Sequence, residues 1–550
     1  MLPKFITLTS PISTDVLVIG GGLAGHRAAI AARSSGASVT MVYPSRGASP
    51  FIIGCNAPLG HENEADSPSV YFDDMVQGGY GLNDRRLVSV LAEEAAGDVY
   101  QLAEIGVPFA RVGDRFAQRH LSGNKYPRSV FHPNGFGSET IARLVKHAEA
   151  VGVRALGSRK AICLLRDGDE VCGALVLRKR TGELTPVHAR AVVLACGGLG
   201  QIFADSTYPA DISSDSYAMA LAAGATLIDM EFVQFEPTVA CHPQSLRGLE
   251  MPTAMLGDGA QLIGATGERF MLRYNPEFAE KRMEKAKLSL CIQKEINEGR
   301  GFPEGGVLFD TTKVPEDKLE SYVTHCRRMR AAGLEPRKEG IQIRPAAHSQ
   351  MGGVRIDTQG WTGIPGLYAG GEAAGGVHGA SRLAGNGGSD AMVFGDVAGR
   401  GSAAHLLHAD RDWNRLAASA VDLLSIRNCT AGAIAAEIKT ETRGVMSRAA
   451  GIYRKGDQLQ AGLDELASLD GSMRSGVRLR DADDWATAIE AINMIVAGKC
   501  VIASALARRE SRGAHQRLDY PQMDDSSFLL HVAVRGGTAG EPTVSTVPIA

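Results

Sequence analysis

Residues 15–29 read DVLVIGGGLAGHRAA, and this stretch decides the fold. DVLVIG is a short run of Val, Ile and Leu that ends in glycine, the pattern of a parallel strand buried on both faces. Gly20, Gly22 and Gly25 follow at the G-x-G-x-x-G spacing. The first permits a tight turn, the second lets a pyrophosphate approach the backbone, and the third brings helix and strand close together. HRAAIAARSSG then reads as an Ala-rich helix ending at Gly36, and ASVTMVY (37–43) as a second strand. A Gly-rich turn alone can be purely structural, but this one sits between a strand and a helix. The helix N-terminus supplies the positive end that a diphosphate needs.

The motif by itself does not choose between NAD and FAD. No Asp or Glu occurs from Gly20 to His61. An NAD site wants an acid near the end of the second strand for the ribose hydroxyls, so Ser45 and Arg46 are left as adenosine-side contacts. AVVLACGGLG (191–200) is a strand running into small residues, as a large flat cofactor requires. In GIPGLYAGGEAAGG (363–376), Glu372 follows a strand and is placed to accept hydrogen bonds from a ribityl chain. Taken together and in this order, the three stretches favour FAD.

Outside these stretches, residues 84–105 and 138–152 carry helical spacing, around a Gly- and Pro-containing loop at 119–137. Hairpins are expected at Asp167-Gly168 and Thr181-Gly182. From about 240 to 343 the chain turns to longer charged helices, including PEFAEKRMEKAKLSLCIQKEINEG (276–299), which reads as an insertion. Beyond 404 it is helical and charged as far as Pro521, then ends in a strand, SFLLHVAV, and a polar tail. The expected fold is therefore α/β. A Rossmann-like FAD-binding domain (1–239 and 344–403) carries an inserted α+β capping domain (240–343), and a C-terminal helical domain and tail (404–550) follow.

The bulk composition agrees. The chain has 550 residues, more than one core usually organises. It is 44% hydrophobic and 22% charged, as in ordinary globular proteins. A net charge of −3 without a basic stripe gives no footprint for nucleic acid. None of the nine cysteines forms a CxxC pair, so no zinc, haem-attachment or iron–sulfur ligand run is seen, and no metal ligand is assigned. Reduced thiols, the absence of a charged-then-apolar leader, and no apolar run near the roughly 18–20 residues that span a bilayer lead to an expected cytoplasmic location.

Six blocks carry a family resemblance: GGGLAGHRAA (20–29), DMEFVQFEPT (229–238), GERFMLRY (267–274), HSQMGGVRID (348–357), PGLYAGGEAAGGVHGASRLAGN (365–386) and ARRESRGAHQRLDYPQMDD (507–525). Over roughly residues 13–532 the chain resembles the flavoprotein subunits of fumarate reductase and succinate dehydrogenase, and L-aspartate oxidase. The resemblance implies hydride transfer between flavin N5 and a C–C or C–N bond beside a carboxylate. It assigns cofactor contacts to Gly20, Gly22, Gly25, Ser45, Arg46, Ala195, Gly197, Gly198, Asp215, Glu372, Arg382, Gly385 and Asn386. By the same resemblance His348 and Arg382 hold a substrate carboxylate. Arg supplies a rigid two-pronged donor suited to that task.

Four departures from the family pattern bear on function. Covalent members attach FAD through a His shortly after the second strand. Here no His lies between His26 and His61, so non-covalent FAD is expected. The family's FHPT reads FEPT, which puts Glu236 where a substrate-binding His is expected. The family's Thr-Glu pair falls on Pro252 and Thr253, and its proton-relaying Arg falls on Lys285. A dicarboxylate needs cationic or hydroxyl partners at both ends, and Glu236 would repel one of them. A Glu236–Lys285 ion pair would cancel that repulsion. The leading expectation is a dehydrogenase or ene-reductase acting on a small carboxylate other than succinate or fumarate. An L-aspartate oxidase-like amino-acid oxidase is the alternative, as is the flavin subunit of a larger complex, whose iron–sulfur or cytochrome partner would be a separate chain.

Overall fold

A computed structural model describes residues 2–132, 135–424, 426–537 and 541–550. Positions 133 and 134 of the expected loop lie outside the described residues. The chain divides into two compact units. The first holds Met1–Ala204, Pro209–Phe232 and Gln350–Ala550; the second holds Asp205–Tyr208 and Val233–Ser349.

In the first unit, the strand Ile12–Ile19, the helix Leu23–Ser34 and the strand Val39–Tyr43 form the opening βαβ. Val16, Leu17 and Val18 are fully buried, as a doubly covered parallel strand demands. The main sheet runs Lys160–Asp167, Glu170–Arg178, Glu183–Leu194, Ile12–Ile19, Val39–Tyr43, Arg154–Gly157, with Leu367–Ala369 also pairing to Glu183–Leu194. Glu183–Leu194 serves two purposes. Its first half pairs antiparallel with Glu170–Arg178 across the hairpin expected at 181–182, and its second half lies parallel to Ile12–Ile19; the hairpin expected at 167–168 joins Lys160–Asp167 to Glu170–Arg178. The helix Asn386–Ala404 packs against Leu23–Ser34. At their contact, a Cβ on Gly395 would lie 2.5 Å from the Ala24 carbonyl oxygen.

Residues 404–550, the expected C-terminal part, cluster with this same unit. Their longest helix, Ala482–Ala507, corrects one expectation, because by length and composition it is apolar enough to cross a membrane. Most of its apolar stretch (78%) is instead buried within the fold. Charged Glu490 and Lys499 interrupt the run in the sequence, and both are buried with partners: Glu490 pairs with Lys160 and Lys439, and Lys499 with Glu541. The expected strand 527–534 is displaced to His531–Gly536, since Asp524 caps a helical turn, Asp525–Phe528. The polar tail is not a loop either. Pro542–Val547 pairs antiparallel with His531–Gly536, which its alternating Val and Thr residues permit.

The second unit is a four-stranded sheet, in the order Val233–His242, Ile341–Gln350, Val307–Asp310, Gln261–Ile263. Its core gathers Leu256, Phe270, Ile292, Phe309 and Ile343. It is wider than the expected 240–343 because the strands Val233–His242 and Ile341–Gln350 straddle those edges. The expected helix from 276 begins only at Lys285 and runs to Asn297. Ahead of it, the Asn275 carboxamide donates to the carbonyls of Ala279 and Lys281, and Ala279 and Arg282 take positive φ. These bonds close a turn that helical spacing does not show.

Candidate functional site

The first unit builds the dinucleotide end. Gly20 has φ +135°, and a Cβ there would lie 2.1 Å from the Ala195 carbonyl oxygen. A Cβ on Gly25 would come equally close to the carbonyl of Gly20. Both positions therefore require glycine, and together they bring the helix start against two strand ends. Ala195, Gly197 and Gly198 continue this floor, and a Cβ on Gly198 would meet the Glu372 carboxylate at 2.8 Å. Glu372 accepts a hydrogen bond from the Gln350 N–H at 2.8 Å, while its own carbonyl accepts from Tyr217. This is a cradle of bare backbone beside one oriented carboxylate, and it fits FAD.

Ser45 and Arg46, expected on the adenosine side, follow the strand Val39–Tyr43. The Ser45 hydroxyl donates to Asp211 and accepts from the Gly47 N–H. The Arg46 guanidinium lies 4.6 Å over the Tyr43 ring and donates to His26 Nε2 at 2.9 Å. His26 Nδ1 faces the Gly22 carbonyl at 3.0 Å, so Nδ1 carries the proton and Nε2 accepts. Burial lowers the His26 pKa to about 4, which keeps the ring neutral and this tautomer fixed. His26 and Ser49, whose hydroxyl accepts from the Leu23 N–H at 2.9 Å, are contacts that the spacing of the glycines did not reveal.

Two of the expected cofactor residues also have partners within the fold. The Asp215 carboxylate is paired with buried Lys160 at 2.9 Å and accepts from Asn493 at 2.7 Å. The Asn386 carboxamide oxygen accepts from Asn56 and Tyr71 at 2.6 and 2.7 Å. Asn386 thereby fixes the turn into its helix, where Gly385 takes φ +93°. Half-buried Arg382 lies in the same turn, and a Cβ on Gly387 would come 3.1 Å from its Nη1. The block 507–525 is also scaffold: Glu510 joins Arg508 and Arg512 at 3.0 and 2.8 Å, all deeply buried.

The second unit gathers the remaining candidates. Glu236, on the strand Val233–His242, is 1% exposed. Its Oε2 accepts from Lys285 Nζ at 2.5 Å, the ion pair that the sequence allowed. Lys285 is the first residue of its helix, where a cation opposes the helix dipole. The Glu236 carboxylate offsets that cost, and the Ser289 hydroxyl ties the helix to the same strand through the Phe235 carbonyl at 3.0 Å. Lys281, Arg282 and Lys287 are exposed, so Lys285 alone of the four cations is half-buried and paired with Glu236. His348 is also half-buried, with Nδ1 2.9 Å from the Thr207 hydroxyl. Carboxylate oxygens of Glu236 and Glu250 and a ring nitrogen of His348 lie within 4.8 Å of one another. Glu250 is the member of this group that the sequence reading missed, because its segment is joined to the others only by the fold. Pro252 and Thr253 are half-buried ahead of the short helix Ala254–Asp258.

Comparison with known proteins matches residues 15–387 to the family described as FAD binding domain and residues 428–550 to that described as fumarate reductase flavoprotein C-term. The chain is 35% identical to one of the subunits of the fumarate reductase (CoM/CoB) of Methanothermobacter marburgensis, covering 92% of this chain and 94% of that one. It is 32% identical to L-aspartate oxidase of Streptomyces coelicolor, covering 95% and 92%. Among solved structures it is similar to the FrdA chain of E. coli quinol fumarate reductase, at 29% identity and a TM-score of 0.91 over 98% and 97% of the two chains.

Proposed function

The chain belongs to the fumarate reductase flavoprotein family of FAD-dependent oxidoreductases, and we propose that its substrate is a small carboxylate other than succinate or fumarate. The observation that carries this reading is the buried Glu236–Lys285 pair. Likeness to fumarate reductases would by itself point to fumarate. Glu236 and Pro252, however, offer no donor where a second carboxylate would need one, and Lys285 is already committed to Glu236.

FAD, when bound, supplies hydride acceptance or donation at N5. The chain's own residues do the rest. Arg382 and His348 hold the substrate carboxylate, and Thr207 orients the His348 ring. Lys285 exchanges the proton on the carbon next to the one that gives or takes hydride, so each turnover moves one hydride and one proton. A second reading, that of a flavin subunit passing electrons to another chain, is favoured by the relatives named as subunits.

The FAD is held without a covalent bond in this reading. Between positions 44 and 60 there is no His, and the lone Cys55 is fully buried, with its thiol pushed well above the ordinary range by desolvation. Denatured protein should therefore release its flavin and precipitate colourless. Flavin fluorescence travelling with the polypeptide on a denaturing gel would contradict this.

The carboxylate anchor is tested by Arg382→Lys, which keeps the charge and loses the planar fork. Losing a charge-assisted bond weakens binding by about tenfold to a hundredfold. Substrate affinity should fall by that factor while FAD content stays at the wild-type level. Unchanged kinetics would move the anchor to another residue.

A further inference from the structure

We propose that Asp390 is a buried negative charge that acts on the flavin through its field, without touching it, and lowers the redox potential of the bound FAD. The effect is on the cofactor and holds whichever carboxylate the enzyme takes.

Asp390 lacks the partner that comparable residues have. Among the described residues, every other buried Asp or Glu side chain bridges to a Lys or an Arg. Asp390, 3% exposed, faces only the His378 imidazole, with Nε2 3.6 Å from Oδ2. That is beyond hydrogen-bond reach, and an imidazole, unlike Lys or Arg, carries no permanent charge. Oδ1 has no hydrogen-bond partner among the described residues. A buried carboxylate oxygen without a donor is destabilising, so scaffolding alone does not account for the residue. Nor does the helix compensate it. Asp390 is the fifth residue of Asn386–Ala404, and the favourable pull of the helix dipole fades beyond the first turn.

Its place in the fold points to the cofactor. Asn386, four residues earlier, lies on the same face of this helix. The turn that carries Glu372 packs beside Asp390, since a Cβ on Gly371 would lie 3.4 Å from Ala391 Cα. Tyr217, whose hydroxyl donates to the Glu372 carbonyl, feels the same charge. Burial first, and then Glu372, Cys196 and Asp390, hold its phenol well above the ordinary range. Asp390 thus sits behind the cradle, between two residues expected to hold FAD. Hydride arriving at N5 adds one negative charge to the ring system, and hydride leaving removes it. A fixed negative charge nearby opposes the reduced form and makes it the stronger hydride donor. At an effective dielectric of about 20, a unit charge shifts such an equilibrium about tenfold from about 12 Å away, and more from nearer.

The test is a dye-mediated reductive titration of the FAD-loaded protein, without oxygen or substrate, that reads the midpoint potential from the flavin absorbance. Asp390→Asn keeps the shape and removes the charge. It should raise the potential by about 30 mV or more, a tenfold or greater gain in the reduced-to-oxidised ratio. Asp390→Glu keeps the charge and should stay within about twofold of the wild-type ratio. The proposal is overturned if Asp390→Asn stays within about twofold of wild type or lowers the ratio. It is overturned equally if Asp390→Glu raises the potential as far as Asp390→Asn does, because shape and not charge would then be at work. Asp390→Ser is read in the same way where the Asn variant loses FAD. If neither variant retains FAD, Asp390 is scaffold and the proposal falls.

Discussion

Succinate and fumarate are expected to be turned over about two to four decades less efficiently than the enzyme's own substrate. The figure follows from two lost charge-assisted hydrogen bonds at roughly 1.5–3 kcal/mol each. The first loss is at Glu236, an acceptor where the family places a donor. The Lys285 ion pair at 2.5 Å moderates the direct repulsion, yet it also removes Lys285 as a free cation for a second carboxylate. The second loss is at Pro252, which has neither an N–H nor a side-chain donor; Thr253 keeps a hydroxyl but no charge. Glu250, within 4.8 Å of Glu236, adds a further negative group on the same side. Steady-state kinetics with succinate and fumarate, measured as kcat/KM, decide the matter. A value within about tenfold of the best substrate found would sink the proposal. Glu236→His should recover about one to two decades, because it restores one donor and leaves Pro252 unchanged.

Elements whose signal is local were legible from residue types alone. The strand–glycine–helix opening is dictated by apolar runs and by glycines that cannot carry a Cβ, and hairpin turns at Asp167-Gly168 and Thr181-Gly182 follow from turn chemistry. Elements that depend on a distant partner were not. Pro542–Val547 becomes a strand only because His531–Gly536 offers it an edge. The helix expected from 276 starts at 285 because one carboxamide, that of Asn275, closes a turn upstream. The site divides in the same way. Gly20, Gly25, Gly198 and Glu372 stand in motifs with a stated mechanical purpose. His26, on the helix Leu23–Ser34 itself, meets a partner, Arg46, that lies beyond the second strand, and Ser49 and Glu250 lie on segments that return from elsewhere, so nothing in their immediate neighbours marks them. Asp215 and Asn386, assigned to the cofactor by resemblance, have partners within the fold, Lys160 and Asn493 for the first and Asn56 and Tyr71 for the second, that residue types alone did not show.

Lys285→Ala should lower turnover by about two to four decades, the range that general acid–base groups contribute. FAD content and the substrate-induced flavin perturbation should persist. Hydride addition to a double bond leaves carbanion character on the neighbouring carbon, and hydride removal requires the reverse, so a proton must cross on the face away from N5. Among the cations of this segment, only Lys285 is both half-buried and held by a buried carboxylate, whereas Lys281, Arg282 and Lys287 are exposed. The Glu236 contact gives the ammonium a fixed direction and a neighbouring proton acceptor, which a surface lysine lacks. A scaffold-only salt bridge makes a different prediction. Breaking a buried pair leaves Glu236 uncompensated and costs about 3–5 kcal/mol of stability, so Lys285→Ala would then lower Tm and turnover together. Lys285→Ala combined with Glu236→Gln separates the two, because it removes the orphaned charge. If Lys285 relays the proton, the double variant regains Tm and stays about two to four decades slow. If the pair is scaffold alone, the double variant regains turnover as well. Wild-type turnover in Lys285→Ala, with Lys281→Ala or Arg282→Ala inactive, would place the relay on the turn ahead of the helix instead.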